Sequence, residues 1–314
     1  MAYEPDTSLF HTSEEIKDAL EFMSNTVEEC INYGTYLAGW LHETTSKNEH
    51  DFPIYSTFLH FFDCLDSIKL LIQQGQSSGV KTLSRALFEA SLSFRYLISS
   101  SREKGVLAYQ VSLTRKKMSQ RKLLDSKEDK GAIFLEKFEK QMGIKLHSQD
   151  SEIMNQHLKA YLDRSDISPI NKEWKKTKKK LKHVPNWYSL FDGPENLKEL
   201  AGFFDEEIMY ELLYSNLSQH IHASDTTNHI RVVQQNNDIP VAISHGLRNP
   251  ESLQDSVKWV LMIVIGTYTT LFDQFYPNRK KRYSNWYSSH LRRQFQIITS
   301  SELFTIHYED ESKN

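Results

Sequence analysis

Tyr214, Ser218 and His222 follow one another at four-residue intervals, which places them on one ridge of a helix with Ser215 and Gln219 alongside. An imidazole one turn from a hydroxyl makes Ser218 and His222 a reachable nucleophile pair, and His222 or His220 is placed for acid–base work. What such a ridge lacks is a cation. In another helical stretch, about 80 to 99, Arg85 and Glu89 are, after Lys81, the only charges in the first fifteen or so positions, and their four-residue spacing gives them a ridge of their own. If the two ridges face each other, Arg85, Glu89, Tyr214, Ser218 and His222 form one charged, hydrogen-bonded cluster, with Glu89 as the carboxylate that orients the base. The competing reading of the same five residues is a satisfied polar network that fixes helix register, because buried pairs of this kind often serve packing.

A second kind of chemistry is written in the basic residues. Seven of the eleven residues from Lys172 to Lys182 are Lys. A nucleic-acid-binding role falls to Lys175, Lys176, Lys179 and Lys180, together with Arg279, Lys280 and Arg282, and Trp174, Trp187 and Tyr188 are available to stack on bases. Because the lysines point to every side of a helix, most must be solvated, and a solvated charged helix is the plain alternative. His220, His222, Asp225 and His229 cluster within ten residues, but on a continuous helix His220 and His222 point about 200° apart, so no metal is expected there. No glycine-rich phosphate loop, nucleophile elbow, zinc-protease helix or calcium loop occurs, and no cofactor is expected.

The elements that must position these residues are helical. Gly and Pro number 11 and 8 in 314 residues, and apolar residues recur at three- and four-residue spacings through most of the chain, the pattern of an all-α, multi-helix bundle. Thr12 with Glu15 makes a capping-box start. Pro53 suits the first turn of a helix. The stretch around residues 80 to 99 is apolar or small on all sides and reads as the centre of the bundle. A helix starting after Asp205 is expected to bury Ile208, Met209, Leu212, Leu213 and Leu217. One small β-hairpin is expected near residues 229–244, where two β-branched runs flank Gln-Gln-Asn-Asn-Asp. The whole, 1–314, reads as a single helical domain with 126–185 as a polar, basic helical insertion.

With 38 Lys and Arg against 41 Asp and Glu, the chain is no generally cationic nucleic-acid binder, although local patches stay open. Cys30 and Cys64 sit within helical patterns and suggest neither disulfides nor a thiolate site, which fits a cytoplasmic protein. The first residues lack the basic and apolar regions of a secretory signal. The longest uncharged run, Trp259 to Phe272, is 14 residues, short of the roughly 20 that span a bilayer, so no membrane partner is expected.

Ser84-Arg85-Ala-Leu-Phe-Glu89, Asn186-Trp187-Tyr188 followed by Gly193, and Tyr210 to His222 with its Tyr-x3-Ser-x3-His pattern resemble an uncharacterised bacterial family known as domain of unknown function 5677. The resemblance implies a helical, bacterial or phage-encoded protein with those polar positions as its hallmark, and no reaction. The chain is more distantly similar to the helical HEPN group, many of whose members are metal-independent ribonucleases in toxin and phage-defence systems. Their hallmark Arg, followed after four to six residues by His, has no match here; Arg282 to His290 is one residue too long. Two functions follow as expectations. One is an effector acting on RNA, DNA or a nucleotide in a defence or toxin setting, with a metal-independent, nuclease-like or nucleotide-directed activity. The other is a non-catalytic binding or scaffold protein, as a homodimer, whose polar network is structural.

Overall fold

The computed structural model describes residues 14–99, 102–215, 230–234, 240–244, 253–300 and 303. They are predominantly helical, and the all-α class holds. The chain divides into two compact units, one formed by Met1–Ile98 with Asp205–Asn314 and the other by Ser99–Phe204. The polar stretch 126–185 lies inside the second.

The first unit is built on α1 (Glu14–Thr45), α2 (Phe52–Gln73) and α3 (Ser77–Leu97), with α2 packed on both α1 and α3. In α2, Pro53 occupies the first turn, where its missing N–H costs nothing. Ile54, Phe58, Phe61, Leu65, Ile68 and Ile72, alternating four and three residues apart, are all fully buried, as a stripe of that period requires. In α3, Leu87, Phe88, Leu92, Phe94 and Leu97 are buried in several directions, because a late core helix, Leu253–Gln274, packs against it as well. Close approach of α1 depends on Gly34: a Cβ there would lie 2.5 Å from both Phe62 Cε2 and the Tyr268 hydroxyl. That hydroxyl donates to the Cys30 carbonyl at 2.9 Å. Cys30 and Cys64 are both buried free thiols, and burial pushes the pKa of each up, so neither is poised as a thiolate.

After Asp205 the chain forms a single α-helical turn over Glu207–Tyr210 and then a π-helical turn over Glu211–Ser215. This corrects the expectation of a regular helix burying a run of apolar residues. A π turn inserts a residue per turn and breaks the 3.6-residue stripe; Leu213 is buried while Ile208 and Leu212 are exposed. Leu217 and Thr12 lie outside the described residues. Strands β1 (Ile230–Gln234) and β2 (Pro240–Ser244) pair antiparallel, with Ile230 opposite Ser244; the loop at 235–239 is outside the described residues.

The second unit centres on α4 (Arg102–Lys122), which packs on α6 (Ser151–Leu162), α7 (Ser168–Leu181) and a 3-10 turn at Trp187–Asp192. Leu107, Ala108, Val111 and Met118 of α4 meet Leu162, Ile167, Ile170, Trp174 and Leu190 in one core. Helix α5 (Asp129–Met142) buries only Gly131, where a Cβ would come within 2.0 Å of the Asp125 carbonyl oxygen. Asp125 ties this turn to α6, accepting from the backbone N–H of Ser151 at 2.8 Å and of Lys127 at 2.9 Å. Hydrogen bonds from Ser151 first, then Lys127, hold its carboxyl below the usual range. Among the described residues no helix is long and apolar enough to cross a membrane.

Candidate functional site

In the first unit the structure brings Arg85, Glu89 and Tyr214 together. Arg85 Nε donates to Glu89 Oε1 at 3.2 Å, one turn along α3. Its Nη2 donates to the Tyr214 hydroxyl, and the guanidinium carbon stands 3.7 Å from the Tyr214 ring centroid. Tyr210, one turn earlier, stacks on Tyr214 at 4.8 Å and 14° and so helps to hold the ring that meets the cation. The i, i+4 spacing of Arg85 and Glu89 thus gives a formed pair, and the expected approach of Tyr214 to Arg85 is present. Ser218 and His222, with His220, lie outside the described residues.

Sequence reasoning passed over a deeper polar cluster in the same unit. Arg95 is only 7% exposed; its Nη1 meets Glu206 Oε1 at 2.7 Å and its Nε donates to Thr270 Oγ1 at 3.0 Å. One turn earlier, Ser91 and Thr267 share a 2.7 Å hydrogen bond. The available signal was Arg95 itself, an arginine late in a helix already recognised as buried.

The expected basic residues of the first unit are engaged. Arg279 and Arg282 lie 4.2 and 5.3 Å from the Trp40 centroid, and Lys280 is 2.6 Å from Asp273. Such stacking is worth about 0.5–1 kcal/mol at an exposed site and leaves the guanidinium N–H groups able to meet an anion.

The lysine run of the second unit divides into two sets. Lys176 pairs with Glu173 at 3.3 Å and Lys180 with Asp192 at 3.0 Å. The hydrogen bond between the last two raises the Lys180 pKa and lowers that of Asp192. Lys175, Lys178, Lys179 and Lys182 instead line a cleft with Trp174 of α7 and Arg115 of α4. Arg115 is held in place by Asn171, whose Oδ1 accepts from Nε at 3.0 Å and from Nη2, and the buried Asn171 in turn donates to the Leu162 carbonyl. Partial burial pushes the Arg115 pKa down, opposed by the Asp163 carboxylate. Trp174 is 7% exposed and belongs to the core, so it anchors the cleft and is no open stacking platform. Trp187 is half-buried, edge-on to Tyr109 at 5.4 Å and to Tyr188 at 5.5 Å.

Of the lysines expected to contact nucleic acid, Lys175 and Lys179 face the cleft, while Lys176 and Lys180 are tied to carboxylates. Arg115, Lys178 and Lys182 were missed. The i, i+3, i+4, i+7 spacing of 175, 178, 179 and 182 announces one helix face, but nothing local announces Arg115, which comes from another helix.

The arrangement can recognise anions: every side-chain polar group lining the cleft is a donor, and no carboxylate lines it. No curated protein and no solved structure matches the chain. Residues 51–239, which include the Arg85 to Tyr214 cluster and the whole cleft, match the profile of a family of unknown function, DUF5677, and the chain belongs to that family.

Proposed function

We propose that this protein acts on a nucleic acid or a nucleotide, engaging its phosphates through the cleft of the second unit. The observation that carries this reading is the sorting of charges. Glu173 and Asp192 take Lys176 and Lys180, which leaves Arg115, Lys175, Lys178, Lys179 and Lys182 around a concave surface lined by donors alone. A helix whose lysines served only solubility would have no reason to gather an Asn171-braced arginine from a second helix. In this reading the protein is a bacterial or phage-encoded cytoplasmic effector, Arg85, Glu89, Tyr214, Ser218 and His222 are its reactive cluster, and its activity is metal-independent. The hairpin expected at 229–244 has no part in it.

The test is binding of single-stranded RNA, single-stranded DNA and free nucleotides at 50 and 200 mM salt, with the integrity of each followed over time. A strand that meets the cleft with about two or three of its phosphates predicts about a ten-fold loss of affinity between those salt concentrations. If none of the three ligand types binds at the lower salt, or if binding ignores salt, the reading is wrong. A bound substrate that stays intact would remove the enzyme and keep the binder.

The second reading, a non-catalytic scaffold, is favoured by one observation: the Arg85 guanidinium is already engaged by Glu89 and by both the hydroxyl and the ring of Tyr214. A cation so satisfied is well used as a lock between α3 and the π turn.

A further inference from the structure

The cleft carries more positive charge than a strand of nucleic acid of the same length can neutralise. It is an open cleft of about 480 Å³, a volume inside the roughly 300–1,000 Å³ range of small-ligand sites. From Lys175 to Lys182 the helix and its end rise by about 10 Å. A single strand covering that distance brings only about two or three phosphodiester charges. A triphosphate group brings about four in a smaller volume, which is the better match to one arginine and four lysines.

The donors are arranged to converge. Asn171 uses one N–H each of Arg115 Nε and Nη2, leaving the rest of a braced, half-buried fork for phosphate oxygens. Arg115 and Lys178 are both held near the Trp174 ring, at 5.2 and 5.4 Å from its centroid. The buried Trp174 Nε1–H has no hydrogen-bond partner. Lys182, just past the end of α7, holds a left-handed φ of 59°, a conformation in which glycine is the usual residue; this position keeps a charge at the cleft where the backbone favours none. No lining side chain accepts a hydrogen bond through oxygen or nitrogen, so the cleft is equipped to read phosphate and not a base.

We infer that this cleft is a site for a compact polyphosphate group, with Arg115 on its terminal phosphate and Lys175, Lys178, Lys179 and Lys182 along the rest. The inference rests on the phosphate-binding reading above and narrows it to a nucleoside triphosphate or the 5′-triphosphate end of an RNA. Isothermal titration in magnesium-free, phosphate-free buffer would compare ATP, inorganic tripolyphosphate, and one RNA carrying either a 5′-triphosphate or a 5′-hydroxyl. ATP, tripolyphosphate and triphosphate RNA should bind, and hydroxyl RNA should bind at least about ten-fold more weakly. Lys178→Gln with Lys179→Gln should weaken tripolyphosphate about ten-fold or more, whereas Lys176→Gln with Lys180→Gln, which touches only the carboxylate-paired lysines, should stay within about two-fold. Both double variants lie on the solvent side of α7, and circular dichroism melts would verify that each is folded. Equal affinity for ATP and triphosphate RNA assigns the site to free nucleotide; clearly tighter binding of triphosphate RNA assigns it to an RNA end. Equal binding of the two RNAs, or equal damage from the two double variants, overturns the polyphosphate site while leaving strand binding intact. Absence of any binding removes both readings.

Discussion

Replacing Arg85 by Ala separates a lock from a reactive group, and the structure gives the size of the effect. The guanidinium stands 3.7 Å from the Tyr214 centroid and its side chain is 19% exposed, so its cation–π contact is worth about 1 kcal/mol. The charged hydrogen bond to the Tyr214 hydroxyl adds about 1.5 kcal/mol at the low end for such bonds. The pair with Glu89, whose side chain is 43% exposed, adds only about 0.3 kcal/mol after solvent screening. Arg85→Ala should therefore destabilise the first unit by about 2–3 kcal/mol, lowering its melting temperature by about 4–12 °C. Glu89→Gln should cost no more than about 0.5 kcal/mol, and Tyr214→Phe, which keeps the ring and loses the acceptor, about 1 kcal/mol. Melting curves by near-ultraviolet circular dichroism, paired with RNA and nucleotide turnover at a temperature where all three variants are folded, read both properties. An Arg85→Ala protein that melts like the parent, or a Glu89→Gln protein that melts as low as Arg85→Ala, would refute the reasoning. Loss of turnover in folded Arg85→Ala, with Tyr214→Phe retaining it, would assign Arg85 to the reaction.

Two further perturbations probe one unit each. Arg95→Met leaves the partly buried Glu206 carboxylate, 25% exposed, without its 2.7 Å ion-pair partner and should cost about 2 kcal/mol in urea denaturation, below the range for a fully buried pair. Adding Glu206→Gln should return at least about 1 kcal/mol of that, and strict additivity of the two losses would contradict the pairing. Lys182→Gly removes a side chain from a left-handed φ of 59°, so it should stabilise the second unit by up to about 1 kcal/mol. The same change removes one of the cleft's cations, and tripolyphosphate affinity should fall several-fold. Stability and affinity moving in the same direction would sink this account of the residue.

How much could be read from the chain follows from the range of the interactions. Helical periodicity is a property of neighbouring residues, so the buried stripe Ile54 to Ile72, Pro53 in a first turn and the Arg85–Glu89 pair were all legible in windows of a few turns. The lysine face of α7 was legible in the same way, as spacing. The π turn at Glu211–Ser215 was not, because its composition is that of an ordinary helix, and within it Leu212 is exposed while Leu213 is buried. Nor could a local window show that Asp192 reaches Lys180, that Glu206 meets Arg95, or that Arg115 joins the lysines. Each is a meeting of residues distant in sequence, chosen by which helix faces pack and not by any local pattern. The amino-acid sequence alone determined a helical protein with a paired Arg85–Glu89 ridge and a basic helix; the tertiary structure decided which cations are left for a ligand, because only packing assigns the carboxylates that neutralise the others.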